Sequence, residues 1–162
     1  MSEGNARFRM VSLRSESGVP PWLAARLLDP GVPEDFIDGL YAVLDTAQFE
    51  EGPDLGRVLF GSAAWGGKFI IDLDSLKISV VNDLGSVSPA NSSLDQFSEC
   101  VRVVSELCWP DWSMVEDFDY CDVIADHIRE RVLAIDDVVF SSSAESFWET
   151  FYYDVRTGVY LE

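Results

Sequence analysis

Apolar positions follow strand spacing through the middle of the chain and helix spacing after it. Between Arg57 and Asn82, three short runs rich in β-branched and aromatic residues, Arg57 to Phe60, Lys68 to Leu73 and Ile78 to Val81, are separated by Gly61 to Gly67 and Asp74 to Lys77. That alternation of strand-formers with turn residues predicts an antiparallel meander over about 57–82. From residue 92 the period lengthens. Leu94, Phe97, Val101, Val104 and Cys108 form one stripe, which predicts a helix from Ser92 to Leu107 that stops before Pro110. Its start carries a capping box, either Ser93 with Gln96 or Ser92 with Asp95. Ile124, Ile128, Val132 and Ile135 predict a second helix, from Met114 or Tyr120 to Ala134, with its acids outward. Phe147, Phe151 and Val155 predict a third, from Ser143 or Ala144 to Arg156, terminated by Gly158.

The first fifty residues are less regular. Phe8 to Leu13 reads as a weak edge strand, and Trp22 to Leu28 as a short helix between Pro20-Pro21 and Asp29-Pro30-Gly31. Pro33 opens a second helical or turn segment near Glu34 to Leu40. No Gly/Ser linker or internal repeat divides the chain, and Ser86 to Pro89 is too short to separate domains. The expected architecture is therefore a single α+β domain, a small antiparallel sheet with helices on one face. With 162 residues, 48% hydrophobic and 12% aromatic, the chain can build a core that removes roughly 70% of the unfolded surface from water.

Charge changes the functional picture more than the fold. The formal net charge is −18, a field that repels phosphate backbones and anionic lipid surfaces, so neither nucleic acid nor membrane is expected as a partner. Residues 1–28 hold four arginines against two glutamates and so about +2, which leaves about −20 on the rest. Asp29 to Asp54 has eight acids and no base; Asp111 to Asp137 has nine acids against Arg129 and Arg131. The opening MSEGNARFRMVSL has no apolar core or cleavage site of a secretory signal, and no run approaches a membrane span, so a cytoplasmic location is expected.

Candidate chemistry is sparse. His127 is the one histidine, between Asp126 and Ile128 in an amphipathic pattern, and reads as a helix-surface residue. Cys100, Cys108 and Cys121 form no CxxC pair and read as buried thiols. Asp72-Leu73-Asp74 places two carboxylates at a strand end, a pattern open to a hard cation but commoner in a solvated hairpin. The run Gly61-Ser-Ala-Ala-Trp-Gly-Gly67 lacks the Lys-Ser/Thr of a phosphate loop and reads as a turn against which Trp65 packs. These residues supply no catalytic constellation, metal ligand set or cofactor motif, and the chain is expected not to be an enzyme.

An ordered series of short motifs carries a resemblance. Val58-Leu59-Phe60-Gly61, Gly66-Gly67, Ile70-Ile71-Asp72, Ile78 and Val81 are followed by Asn91-Ser92-Ser93-Leu94-x-x-Phe97, then Ala134-Ile135-Asp136 and Glu145-Ser146-Phe147-Trp148. The series resembles the SUKH superfamily, most of all its fourth branch, over roughly Arg57 to Gly158. One departure lies in the hairpin after the Ile-Asp strand, where family members tend to place Gly and this chain has Asp74-Ser75-Leu76-Lys77. The resemblance implies an α+β fold and a bacterial immunity protein that binds and neutralises a cognate toxin, with no catalytic residues to carry over. The competing expectation is a SUKH-like interaction or regulatory scaffold whose partner is a cellular protein; a third, a small-molecule-binding domain using the Trp65 loop, lacks convergent polar residues in the sequence.

An acidic surface would suit a basic, nuclease-like toxin, although plain solubility accounts for it equally simply. Trp109 to Asp122 combines large apolar side chains with five acids and no base. Aromatic anchors within an acidic rim have the makeup of a binding hot spot. The expected partner-binding residues are Asp111, Trp112, Glu116, Asp117, Asp119, Tyr120 and Asp122, while Trp109 and Phe118 also suit the core of an irregular connector.

Overall fold

The computed structural model describes residues 8–37, 39–52, 54–108, 118–140 and 145–159. It is an α+β fold. The strands are β1 (Met10–Val11), β2 (Arg14–Ser15), β3 (Val32–Pro33), β4 (Asp35–Phe36), β5 (Tyr41–Glu50), β6 (Arg57–Ser62), β7 (Lys68–Asp72), β8 (Ile78–Val81) and β9 (Val87–Asn91). The helices are α1 (Pro21–Leu28), α2 (Leu94–Cys108), α3 (Phe118–Ile135) and α4 (Phe147–Arg156), with a 3-10 turn at Asp137–Phe140.

The meander is present, inside a larger and mixed sheet. The order is β2-β5-β6-β7-β8-β9, with β4 also on β5, and β1 pairs with β3 in a separate two-stranded ribbon. All pairs in the large sheet are antiparallel except β2 with β5. The small antiparallel sheet expected from sequence thus gains strands on both sides. On one side, Pro89 removes an N–H and confines Val87–Asn91 to the sheet edge, which is why this strand reads as a connector. On the other, β5 is interrupted: Val43 pairs with Gly61 but the next pair is Gln48 with Leu59, so four residues bulge against one. That bulge destroys the alternation by which the longest strand would be recognised.

Of the helical or turn segment expected near Glu34 to Leu40, the turn is present at Ile37, Gly39 and Leu40, and no helix forms among the described residues there. Phe36 enters β4 and is 1% exposed, with its ring 5.1–6.4 Å from Phe147, Trp148 and Phe151, and the turn after it holds Ile37 and Gly39 at positive φ. Burying one aromatic against three outweighs the weak local preference for a helix. The edge strand expected over Phe8 to Leu13 is likewise shorter, Met10–Val11, followed by the separate Arg14–Ser15.

The helices cover one sheet face. Val58, Phe60, Phe69, Ile71, Ile78 and Val80 point inward and share one buried cluster with Phe97, Val101 and Val104 of α2 and Phe147, Phe151 and Val155 of α4. At its centre, the rings of Tyr41, Phe60, Phe69 and Phe97 lie 4.9–6.3 Å apart. On the opposite face Leu59, Ile70 and Val81 form a small cluster with Leu44. Gly61 is required by the first group, because a Cβ there would stand 2.3 Å from the Tyr41 ring.

Helix ends follow the sequence signals except at the start of α4, which begins at Phe147 behind Ser146 and not at the expected Ser143 or Ala144. The Ser93 hydroxyl accepts from the Gln96 N–H at 3.2 Å, so Ser93 with Gln96 is the capping pair. Ser146 caps α4 through the Glu149 N–H at 3.1 Å. Gly158, at φ +76, closes α4: its N–H bonds to the Val155 carbonyl while the Val159 N–H bonds to that of Asp154.

Candidate functional site

Three connections gather at one end of the sheet. In the β6–β7 hairpin the Gly66 N–H bonds to the Ala63 carbonyl and the Ala63 N–H to that of Gly67. Gly66 has φ +96, and a Cβ on it would lie 2.6 Å from a carboxylate oxygen of Asp83, so the β8–β9 hairpin is seated against it. The turn before β5 is tied in by the Ala64 N–H, which donates to the Gly39 carbonyl at 2.8 Å. Trp65 stands at this junction. Its ring lies so close over Gly67 that a Cβ there would be 2.3 Å away, yet the residue remains 52% exposed. Leu84, at the tip of the neighbouring hairpin, is 92% exposed.

Beside Trp65 a groove of about 340 Å³ runs between the sheet and α4, lined by Leu40, Trp65, Val80, Ser88, Phe147, Thr150, Phe151 and Asp154. The floor is apolar, the only charged group among these residues is the carboxylate of Asp154, and none is basic. An aromatic wall held in place by its own hairpin and an apolar floor suit contact with an apolar side chain.

The remaining electrostatics amplify this. Arg9, Arg26, Arg57, Arg102 and Arg156 are each bonded to carboxylates, of Glu34, Asp95, Glu50, Glu99 with Glu106, and Asp122 respectively. These pairs, at or near the surface, add little stability. They do absorb much of the chain's positive charge locally, leaving the −18 excess to act at longer range.

Of the expected partner-binding residues, Asp111, Trp112, Glu116 and Asp117 lie outside the described residues, as does Trp109. Asp119 and Tyr120 fall, with Phe118, at the start of α3. Asp122 is exposed on that helix and pairs with the Arg156 Nε at 3.1 Å. His127 is exposed on the same helix. Sequence reading singled out Trp65 and its glycine-flanked loop but not the other groove residues, which come from separate elements and show no shared pattern.

Asp72 is a turn former. Its Oδ1 accepts from the N–H groups of Asp74 and Ser75, both at 2.8 Å, and these bonds, Ser75's foremost, hold the carboxyl below its usual range. Among the described residues no group of three or more His, Cys, Asp or Glu side chains converges as metal ligands do. Cys100 is buried; desolvation pushes its thiol up to about 12, partly offset by a bond from the Asn91 amide. No helix among the described residues is long and apolar enough to cross a membrane.

A buried polar cluster lies at the opposite end of the inner sheet face. Asp136, 2% exposed, accepts from the Ser92 N–H at 2.7 Å, the Ser92 hydroxyl at 2.9 Å and the Asn91 amide at 3.2 Å. Trp148 Nε1 donates to Asn91 Oδ1 at 2.8 Å. β9, the start of α2, the end of α3 and α4 are thereby joined through groups whose bonding is mutually complete, the arrangement of a structural clasp. No family model, curated protein or solved structure matches this chain.

Proposed function

We propose that this protein is a SUKH-like immunity protein that binds a cognate bacterial toxin and neutralises it stoichiometrically, without catalysis. The observation that carries this reading is the Trp65 groove: a half-exposed tryptophan beside an apolar channel, on a chain of net charge −18. Aromatic anchors supply the slow dissociation of protein complexes, and a uniform surplus of one charge speeds encounter with an oppositely charged partner. A basic, nucleic-acid-directed toxin fits both terms. The acidic segment from Asp111 to Asp122 remains part of the proposed partner surface, through Trp112 and Tyr120 as anchors and Asp111, Glu116, Asp117, Asp119 and Asp122 as steering charges.

The resemblance draws support from its own residues. Asn91, Ser92, Asp136 and Trp148, dispersed over 58 positions of the sequence, meet in the clasp. A motif whose members hold one another in place is what a fold signature requires.

The test is co-expression with the product of the gene adjacent to this one. The expected result is restored growth together with a stoichiometric complex on size-exclusion chromatography, both retained by His127→Ala. Protection without a complex, or protection lost in a folded His127→Ala variant, would overturn the reading.

A further inference from the structure

We infer that the tip of the β8–β9 hairpin is a plug: Leu84 enters an apolar pocket on the partner protein, and an arginine or lysine at the mouth of that pocket meets Asp83. The inference rests on the binding role proposed above and adds the chemistry of the contact.

Turn geometry sets the first condition. The Gly85 N–H donates to the Asn82 carbonyl and the Asn82 N–H to that of Ser86, both at 3.0 Å. Asn82 Oδ1 accepts from the Leu84 N–H at 3.0 Å and the Ser86 N–H at 2.9 Å. Gly85 has φ +83, while Asp83 and Leu84 keep negative φ, so the two occupy the central positions of a type I turn. Those positions accept most residues, and the special demands of the turn fall on Asn82 and Gly85. The turn therefore does not require a leucine at 84, and at 92% exposure Leu84 adds nothing to the core.

The surroundings set the second. Val87, on the same hairpin, is 54% exposed, and the hairpin seated against Asp83 carries the half-exposed Trp65. Single apolar side chains scattered over a surface carry no message, whereas several large ones gathered at one end of a sheet mark a contact surface.

Charge sets the third. Asp83 is exposed, and its carboxylate takes no hydrogen bond or ion pair among the described residues. A partner that covers Leu84 also covers this neighbouring carboxylate, and an unpaired charge at an interface is costly. A cation at the pocket mouth removes that cost, whereas a carboxylate there would repel. Because the four turn bonds already fix the tip, burying Leu84 orders little beyond one side chain.

The test is binding kinetics of the full chain against the product of the adjacent gene, at low and physiological salt, for wild type, Leu84→Ser, Leu84→Met and Asp83→Asn. All three variants are expected to melt with wild type, since both side chains are exposed. Leu84→Ser should raise the dissociation rate by about tenfold or more, the increment of one leucine withdrawn from an apolar pocket, and Leu84→Met should recover most of that loss because it keeps the volume. Asp83→Asn should lower the association rate by roughly two- to fivefold at low salt and by less at physiological salt. Wild-type rates in Leu84→Ser, or a lowered melting temperature that makes the leucine part of the fold, would overturn the inference and leave the immunity reading standing. Association of Asp83→Asn that is unchanged or faster at low salt would overturn it equally, by removing the cation. A wild-type chain that does not bind the product at all would overturn the immunity reading and, with it, the inference.

Discussion

The Asp136 carboxylate and the Ser92 backbone, 44 positions apart, meet at 2.7 Å in the interior, where Asp136 also receives the Ser92 hydroxyl. The junction joins the end of α3 to the start of α2. Removing the acceptor leaves the Ser92 N–H and hydroxyl, both half-buried, and the buried Asn91 amide short of a partner, so Asp136→Ala is expected to destabilise the protein by on the order of 2 kcal/mol, and Ser92→Ala by about 1 kcal/mol. Urea unfolding measures both. If the cluster is structural, either variant binds partner normally wherever it remains folded; a variant of wild-type stability that fails to bind would place these residues in the interface.

Gly61 is defined by Tyr41. A methyl group at Gly61 would overlap the Tyr41 ring, so Gly61→Ala should cost on the order of 2 kcal/mol through overpacking. In a Tyr41→Ala background the same change should cost markedly less, because the two residues share one volume. Additive costs in thermal or urea unfolding would show that the strain lies elsewhere.

Leu76 holds φ +62 in the β7–β8 hairpin and is 42% exposed. A branched aliphatic side chain is disfavoured there, and little packing is lost on removing it. Leu76→Asn is therefore expected to stabilise by roughly 0.5–1 kcal/mol, since Asn tolerates the left-handed region. A lowered melting temperature would show that the Leu76 side chain supports the hairpin.

Acid should reveal the turn carboxylates. Asp72 is held below its usual range by the N–H groups of Ser75 and Asp74, and Glu99 by Arg102. A carboxyl whose folded pKa is depressed contributes stability that is fully present above its unfolded value, near 4, and is lost as pH falls through the folded value. Asp35 works in the opposite sense: burial raises its pKa, so its contribution is present below the unfolded value and declines as pH rises through the folded one. The expected profile is level or rising stability from pH 7 towards 5, as repulsion among the acids relaxes, then a fall below about pH 4. Asp72→Asn, which keeps an acceptor but cannot titrate, should show a shallower acid limb. Superimposable limbs would contradict the assignment to Asp72.

Sequence patterns made the meander and the helices legible because each buries one continuous face. Phe97, Val101 and Val104 repeat on a helical period, and Phe69 and Ile71 on a strand period, since their partners lie to one side. The pattern failed where tertiary contacts overrode it. The bulge at residues 44–47 breaks the period of β5, Phe36 is drawn into a strand by three aromatic rings, and Pro89 disguises an edge strand. The groove was illegible for a related reason: Leu40, Trp65, Val80 and Phe151 come from four separate elements, and only their packing makes them one surface.

Binding kinetics against ionic strength test the central claim most directly. For the purified chain and the product of the adjacent gene, raising salt from low to physiological levels should slow association more than it speeds dissociation. Asp117→Lys with Asp119→Lys should chiefly lower the association rate, while Trp112→Ala or Trp65→Ala should raise the dissociation rate, with a loss on the order of 2 kcal/mol for a true anchor. Association insensitive to salt, together with dissociation unchanged in both tryptophan variants, would contradict an acidic, aromatic-anchored toxin-binding surface.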